Sequence, residues 1–150
     1  MKSFTLVELL VVIGITIVLA AASIPIYGNL QVSAQLNDNS SQIIQFLRTA
    51  QQESMARYNN AAHGVKFQAD RYILYQGSIY TLRDSDYDRE VILDSSMELS
   101  WTLFGTGQSD EVNFSKGLGA PDMIGTITLT HDVQGTRTIS VNSYGKAEED

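Results

Sequence analysis

The chain has no cysteine among its 150 residues. That absence excludes disulfides, thiolate catalysis and zinc held by sulfur. Histidine is scarce, with only His63 and His131. Each is read as a structural or exposed ring rather than a metal ligand or general base. No serine sits in a nucleophile elbow, and no glycine-rich stretch has the phosphate-binding spacing. The chain is therefore not expected to be an enzyme, and no cofactor is called for. Basic residues are also few, 10 against 17 acidic, for a net charge of −7 and an isoelectric point near 4.7. An acidic chain has no electrostatic reason to seek nucleic acid.

Charge is missing altogether from residues 9–37. The heart of this stretch is Leu9-Leu10-Val11-Val12-Ile13-Gly14-Ile15-Thr16-Ile17-Val18-Leu19. With its flanks it exceeds the roughly 20 residues a helix needs to cross about 30 Å of hydrocarbon. In lipid the backbone must satisfy its own hydrogen bonds, so the β-branched residues do not prevent a helix. The competing reading is a secretory signal peptide cut after Ala22. Glu8 argues against it, because the early charge of a signal peptide is positive. An acid at membrane depth asks for a partner. Lys2, with the α-amine beside it, is the only basic residue before Arg48, so the partner is either there or on another chain.

Phe4-Thr5-Leu6-Val7-Glu8-Leu9-Leu10-Val11-Val12-Ile13 resembles the N-terminal signature of type IV pilins and type II secretion pseudopilins. The resemblance implies that a prepilin peptidase cuts between Ser3 and Phe4 and N-methylates the new amine. The residue before the cut is usually glycine in that family, and here it is Ser3. Glu8 then matches the family's intramembrane acid, which acts in filament assembly by pairing with a neighbour's amine. Pro25 falls where pilins carry a helix-kinking proline. With Gly28 it is expected to weaken or bend the helix near the membrane exit.

Helical periodicity returns over residues 40–58. Ile43, Leu47, Ala50, Ser54 and Tyr58 form one stripe, widened by Ile44, Phe46 and Met55. The spine helix is therefore expected to reach about Tyr58. Beyond Asn59-Asn60 the period shortens to two. Strand candidates are 65–68, 72–75, 79–82, 91–93, 97–104, 112–114, 126–131 and 138–141, separated by glycine- and aspartate-rich turns. The acidic end, Glu148-Glu149-Asp150, is expected to fray.

Many short strands after one long helix predict an α+β fold, with antiparallel sheet packed on the helix's second half. The order Val112-Asn113-Phe114-Ser115-Lys116-Gly117, Gly125-Thr126-Ile127-Thr128-Leu129, Ile139-Ser140-Val141 and Gly145-Lys146 is similar to the C-terminal half of GspH/FimT-type minor pseudopilins. The expected organisation is a leader at 1–3, a transmembrane and filament-core helix at 4–27, the outer half of the spine at 28–58, and an exterior β-rich domain at 59–150.

Asp84-Ser85-Asp86-Tyr87-Asp88 alternates carboxylates as a calcium loop does, making Asp84, Asp86 and Asp88 weak metal candidates. Arg89 and Ser95 occupy the positions where such a loop needs glycine and a bidentate glutamate. A solvated acidic turn before the 91–93 strand is preferred, with no metal. Arg137 and Lys146 face the terminal acids, which keeps DNA contact a minority reading.

The resemblance thus implies a minor pseudopilin or pilin-like structural subunit. It would be single-pass in the bacterial inner membrane, with the N-terminus cytoplasmic and the exterior domain periplasmic or extracellular, and then enter a filament. Its partners would be other pilin or pseudopilin subunits and prepilin peptidase. Two alternatives stay open: a pilus-tip interaction module in DNA uptake or adhesion, and a signal-anchored exterior domain that does not assemble.

Overall fold

The computed structural model describes residues 5–133 and 135–150, with side chains for all of these except 22–29. Leu6–Met55 is one α-helix, α1. The chain divides into two compact units, the first ending at Ala34 and the second running Gln35–Asp150.

In the first unit every large apolar side chain from Leu6 to Leu19 is more than half exposed. Among the described residues no helix is long and apolar enough to cross a membrane. The expected span, 4–27, includes Phe4 and the side chains of 22–27, which lie outside the described residues. The side chain of Pro25, expected with Gly28 to bend the helix, lies outside them too.

The second unit begins on α1 with a stripe at alternating spacings of four and three: Leu36, Ser40, Ile43, Leu47, Ala50 and Ser54. All six are fully buried. That alternation keeps one helical face turned inward. Tyr58, expected to extend the stripe, is exposed, because α1 stops at Met55. The stop is a backbone effect. Arg57, Asn59 and Asn60 take φ of 54°, 48° and 59°, and Ser54's carbonyl accepts both Arg57 N and Gly117 N. Asparagine tolerates this left-handed region better than most residues.

Among the described residues the strands are β1 (His63–Gln68), β2 (Arg71–Gln76), β3 (Asp84–Ile92), β4 (Met97–Gly105), β5 (Glu111–Phe114), β6 (Met123–His131), β7 (Gly135–Val141) and β8 (Ala147–Glu149). They form two antiparallel sheets, ordered β3-β2-β1-β5 and β4-β6-β7-β8. One core takes Ile43 and Leu47 from α1, Phe67 and Leu74 from the first sheet, and Ile127 and Ile139 from the second. The fold is the expected α+β arrangement, a long N-terminal helix packed on antiparallel sheets.

Three local expectations are corrected. Residues 79–82 are not a strand; Tyr80–Leu82 is a 3-10 turn folded over β2, with the Tyr80 ring edge-on to Tyr75 at 5.5 Å. This cover explains why β2 is buried on both faces, against the simple alternation of a half-buried strand. The acidic run 84–88 is not a turn before a strand but the first half of β3 itself. The C-terminus is not frayed. Strand β8 pairs with β7, Ser40 Oγ donates to Glu149 Oε2 at 2.5 Å, and Asp150 N donates to Thr138 O at 3.0 Å.

Two substitutions test this packing in urea unfolding of the full chain. Leu47→Ala should cost about 2–5 kcal/mol through the cavity it leaves. Ser54 Oγ accepts the His63 N–H at 2.8 Å in a buried site. Ser54→Ala should therefore cost about 1–3 kcal/mol by stranding that donor.

Candidate functional site

Helix α1 starts with a reciprocal cap. Glu8 N donates to Thr5 Oγ1 at 3.3 Å, while Glu8 Oε2 accepts Thr5 N at 3.2 Å and Thr5 Oγ1 at 3.0 Å. This is a capping box, in which two helix-end donors are satisfied at once. Its acid also lies in the first turn, where the helix dipole favours negative charge. Glu8 thus has an intrachain role that the reading of it as a lone acid overlooked. The Thr5-x-x-Glu8 spacing was itself the signal. Ser3 and Phe4, the expected cleavage and methylation positions, lie outside the described residues.

Asp84, Asp86 and Asp88 all lie on β3 but do not converge. Asp88 Oδ2 accepts Arg83 Nε at 2.7 Å, Asp84 Oδ1 accepts Asp86 N at 3.2 Å, and Asp86 is exposed. No group of three or more metal-binding side chains occurs among the described residues. Arg137 Nε lies 3.2 Å from Glu149 Oε1, and Lys146 Nζ 2.6 Å from Glu148 Oε2. Both basic residues are therefore paired with the terminal acids, as their positions in the sequence suggested. Trp101 is half-buried against the core, with its ring 6.2 Å from that of Phe67.

His131 is buried, and its Nδ1 accepts Val133 N at 3.1 Å. His63 is also buried, between the end of α1 and β3. Its Nε2 is 3.8 Å from Glu53 Oε2, and the other oxygen of Glu53 is held by Arg89 Nη2. Burial lowers the His63 pKa below its ordinary 6.5 and outweighs the nearby Glu53 carboxylate, which raises it. Glu111 and Asp122 move the opposite way, because burial raises both carboxyls above their usual range. Glu111 Oε2 accepts Tyr80 N at 3.1 Å, and Asp122 Oδ1 accepts Asn113 N at 2.7 Å. These two acids pin loops over the first sheet. Sequence reasoning missed them, because nothing local marks a buried acid at a strand's start or beside Pro121.

A comparison with solved structures finds the minor pseudopilin EpsH from the type 2 secretion system of Vibrio cholerae. The match covers 77% of this chain and 96% of that one, with a TM-score of 0.57 and 10% sequence identity. The fold is pilin-like. No protein-family model matches the chain, and no curated protein sequence does.

The pKa shifts predict opposed acid responses. The unfolded chain protonates histidine near 6.5, while the folded chain keeps His63 neutral. Stability from His63 is therefore complete above 6.5 and is lost as pH falls from there through the depressed folded value. Glu111 has a raised folded value, so its burial is relieved as pH falls and offsets part of that loss. In urea titrations at stepped pH, His63→Gln should lose stability less steeply than wild type as pH falls below 6.5, and Glu111→Gln more steeply as pH falls toward 4.5.

Proposed function

We propose that the chain is a pilin-like structural subunit of the minor pseudopilin kind. It assembles through its N-terminal helix into a type II secretion pseudopilus or a type IV pilus. The observation that carries this reading is the division of labour along α1. From Leu6 to Leu19 the helix offers an all-round apolar surface with no cover from its own unit. From Leu36 to Ser54 it offers one stripe, already buried in the domain. An apolar helix left open in this way needs lipid or other helices around it. The likeness to EpsH supports the same reading, since that protein is a minor pseudopilin of a type 2 secretion system.

In this reading residues 1–3 are a leader, prepilin peptidase cuts before Phe4, and the new amine is methylated. The chain is held in the inner membrane before assembly, with the β-rich domain outside. Glu8 then does two things. It closes the cap with Thr5, and it pairs with the Phe4 amine of a neighbouring subunit. Opposite charges about 4 Å apart attract by about 4 kcal/mol at an effective dielectric near 20. Either charge alone in an apolar filament core is costly, so the pair sets register during assembly. The role is structural rather than catalytic. Arg137 and Lys146, the residues that raised the DNA-uptake alternative, are both paired within the chain.

The two roles of Glu8 separate by substitution. Glutamine still closes a capping box but carries no charge. Glu8→Gln should therefore insert into membranes normally and fail to enter filaments, as should Glu8→Leu. Filament entry by either variant at the wild-type level, measured by shearing and immunoblotting, would refute the charge-pairing role. Mass spectrometry of the mature N-terminus checks the processing. A methylated Phe4 is expected, and a start after Ala22 would overturn the whole reading.

A further inference from the structure

Between the end of α1, the start of β1 and the edge strand β3 lies a cavity of about 330 Å³. That is within the range of small-ligand pockets, roughly 300–1,000 Å³. One wall is a wide irregularity in β3. Leu74 pairs with Arg89 and Gln76 with Asp84, so Ser85, Asp86, Tyr87 and Asp88 stand opposite Tyr75 alone. Bulges of this kind re-aim side chains and gather near functional sites. Here the bulge brings Asp86, Tyr87 and Asp88 to the cavity, opposite Tyr58 and His63.

Two buried polar atoms of the lining have no hydrogen-bond partner: His63 Nδ1 and Asp88 Oδ1. His63 is only 2% exposed. Its Nε2 lies 3.8 Å from the Glu53 carboxylate, beyond hydrogen-bond reach, and the Gln76 side chain also engages the ring; a ring proton on Nε2 leaves Nδ1 as an acceptor. The second atom, a carboxylate oxygen, is also an acceptor. Buried acceptors left empty are costly, and two in one cavity call for a donor. Charge points the same way. Arg89 is neutralised by Glu53, and Asp88 by Arg83, which itself lies over the Tyr80 ring at 3.8 Å. Among the described residues the Asp86 carboxylate has no ion-pair partner, so the uncompensated charge of the lining is negative. Tyr58 and Tyr87 are both about half exposed and supply ring faces of the sort that attract cations.

We infer that this cavity binds a single guanidinium or primary ammonium group, with His63 Nδ1 and Asp88 Oδ1 accepting its N–H donors, Asp86 supplying the charge and Tyr58 and Tyr87 flanking it. Guanidinium and ammonium are the groups that bring several donors and no acceptor. The group comes either from an arginine or lysine side chain of a partner protein or from a free polyamine. The site stands apart from the filament reading, since all its residues belong to the second unit.

The test is a titration of the full chain in neutral detergent micelles, read by NMR at the His63 ring nitrogens and the Tyr87 ring. N-acetyl-arginine amide and N-acetyl-lysine amide should give saturable shifts at both rings. N-acetyl-citrulline amide, of nearly the same shape but neutral, should bind more weakly. Asp86→Asn and Tyr87→Leu change exposed side chains and should leave the remaining spectrum intact. Each should weaken binding about threefold. The source of the group is read from two further probes. Tighter binding of an acetylated Ala-Arg-Ala amide identifies a partner side chain, and tighter binding of agmatine a free amine; either supports the site. Absence of saturable shifts means the cavity holds water alone and overturns the inference. So does citrulline amide binding as tightly as arginine amide, or binding unchanged in both variants.

Discussion

The helix stripe from Leu36 to Ser54 is the contact on which the second unit depends. Two four-stranded antiparallel sheets share one core, and the stripe is part of that core. Each sheet has an apolar inner face and cannot stand alone in water. Ile43, Leu47 and Ala50 join the side chains of both sheets in that cluster. Polar residues at the ends of the stripe then fix its register. Ser40 reaches β8 through Glu149, and Ser54 reaches β1 through His63 N. Arg48 and Gln51 add ties from the half-exposed flanks, to Ala147 O and to Gly119 O and Tyr144 O. An apolar stripe alone permits sliding, and these hydrogen bonds remove it.

Much of this was legible because it follows from local chemistry. The four-three spacing of α1, the β-branched runs of β6 and β7, and the glycine-bearing turns between strands each announce themselves over a few residues. So did the pairing of Arg137 and Lys146 with the terminal acids. What stayed hidden depends on distant partners. Ile79-Tyr80-Thr81-Leu82 has strand composition, yet Glu111, some thirty residues later, captures Tyr80 N and holds a 3-10 turn. The acidic run 84–88 looks like a solvated turn. Sheet pairing with β2 makes it a strand, and its surplus residues form the bulge.

The candidate sites divide along the same line. Glu8 was found from sequence because an acid in an apolar run is a local anomaly. Its cap with Thr5 is equally local, marked by the Thr5-x-x-Glu8 spacing. The cavity beside His63 was out of reach, since Glu53, His63, Gln76 and Asp88 meet only through the crossing of α1, β1, β2 and β3. Buried orphan acceptors have no signature in composition, because their cost exists only once neighbours exclude water.

Strand β8 carries a consequence for the order of events in the cell. The residues of β8 are structural: Ala147 is fully buried, and Glu149 is bound to Ser40 across a separation of 109 residues. Long-range closures of this kind form late, after the loop entropy of everything between has been spent. The outer half of α1 thus leaves the ribosome well before the strand that completes its burial exists. Its inward stripe must wait, exposed, until β8 has been made. A chain cut before Ala147 would lack its closing strand.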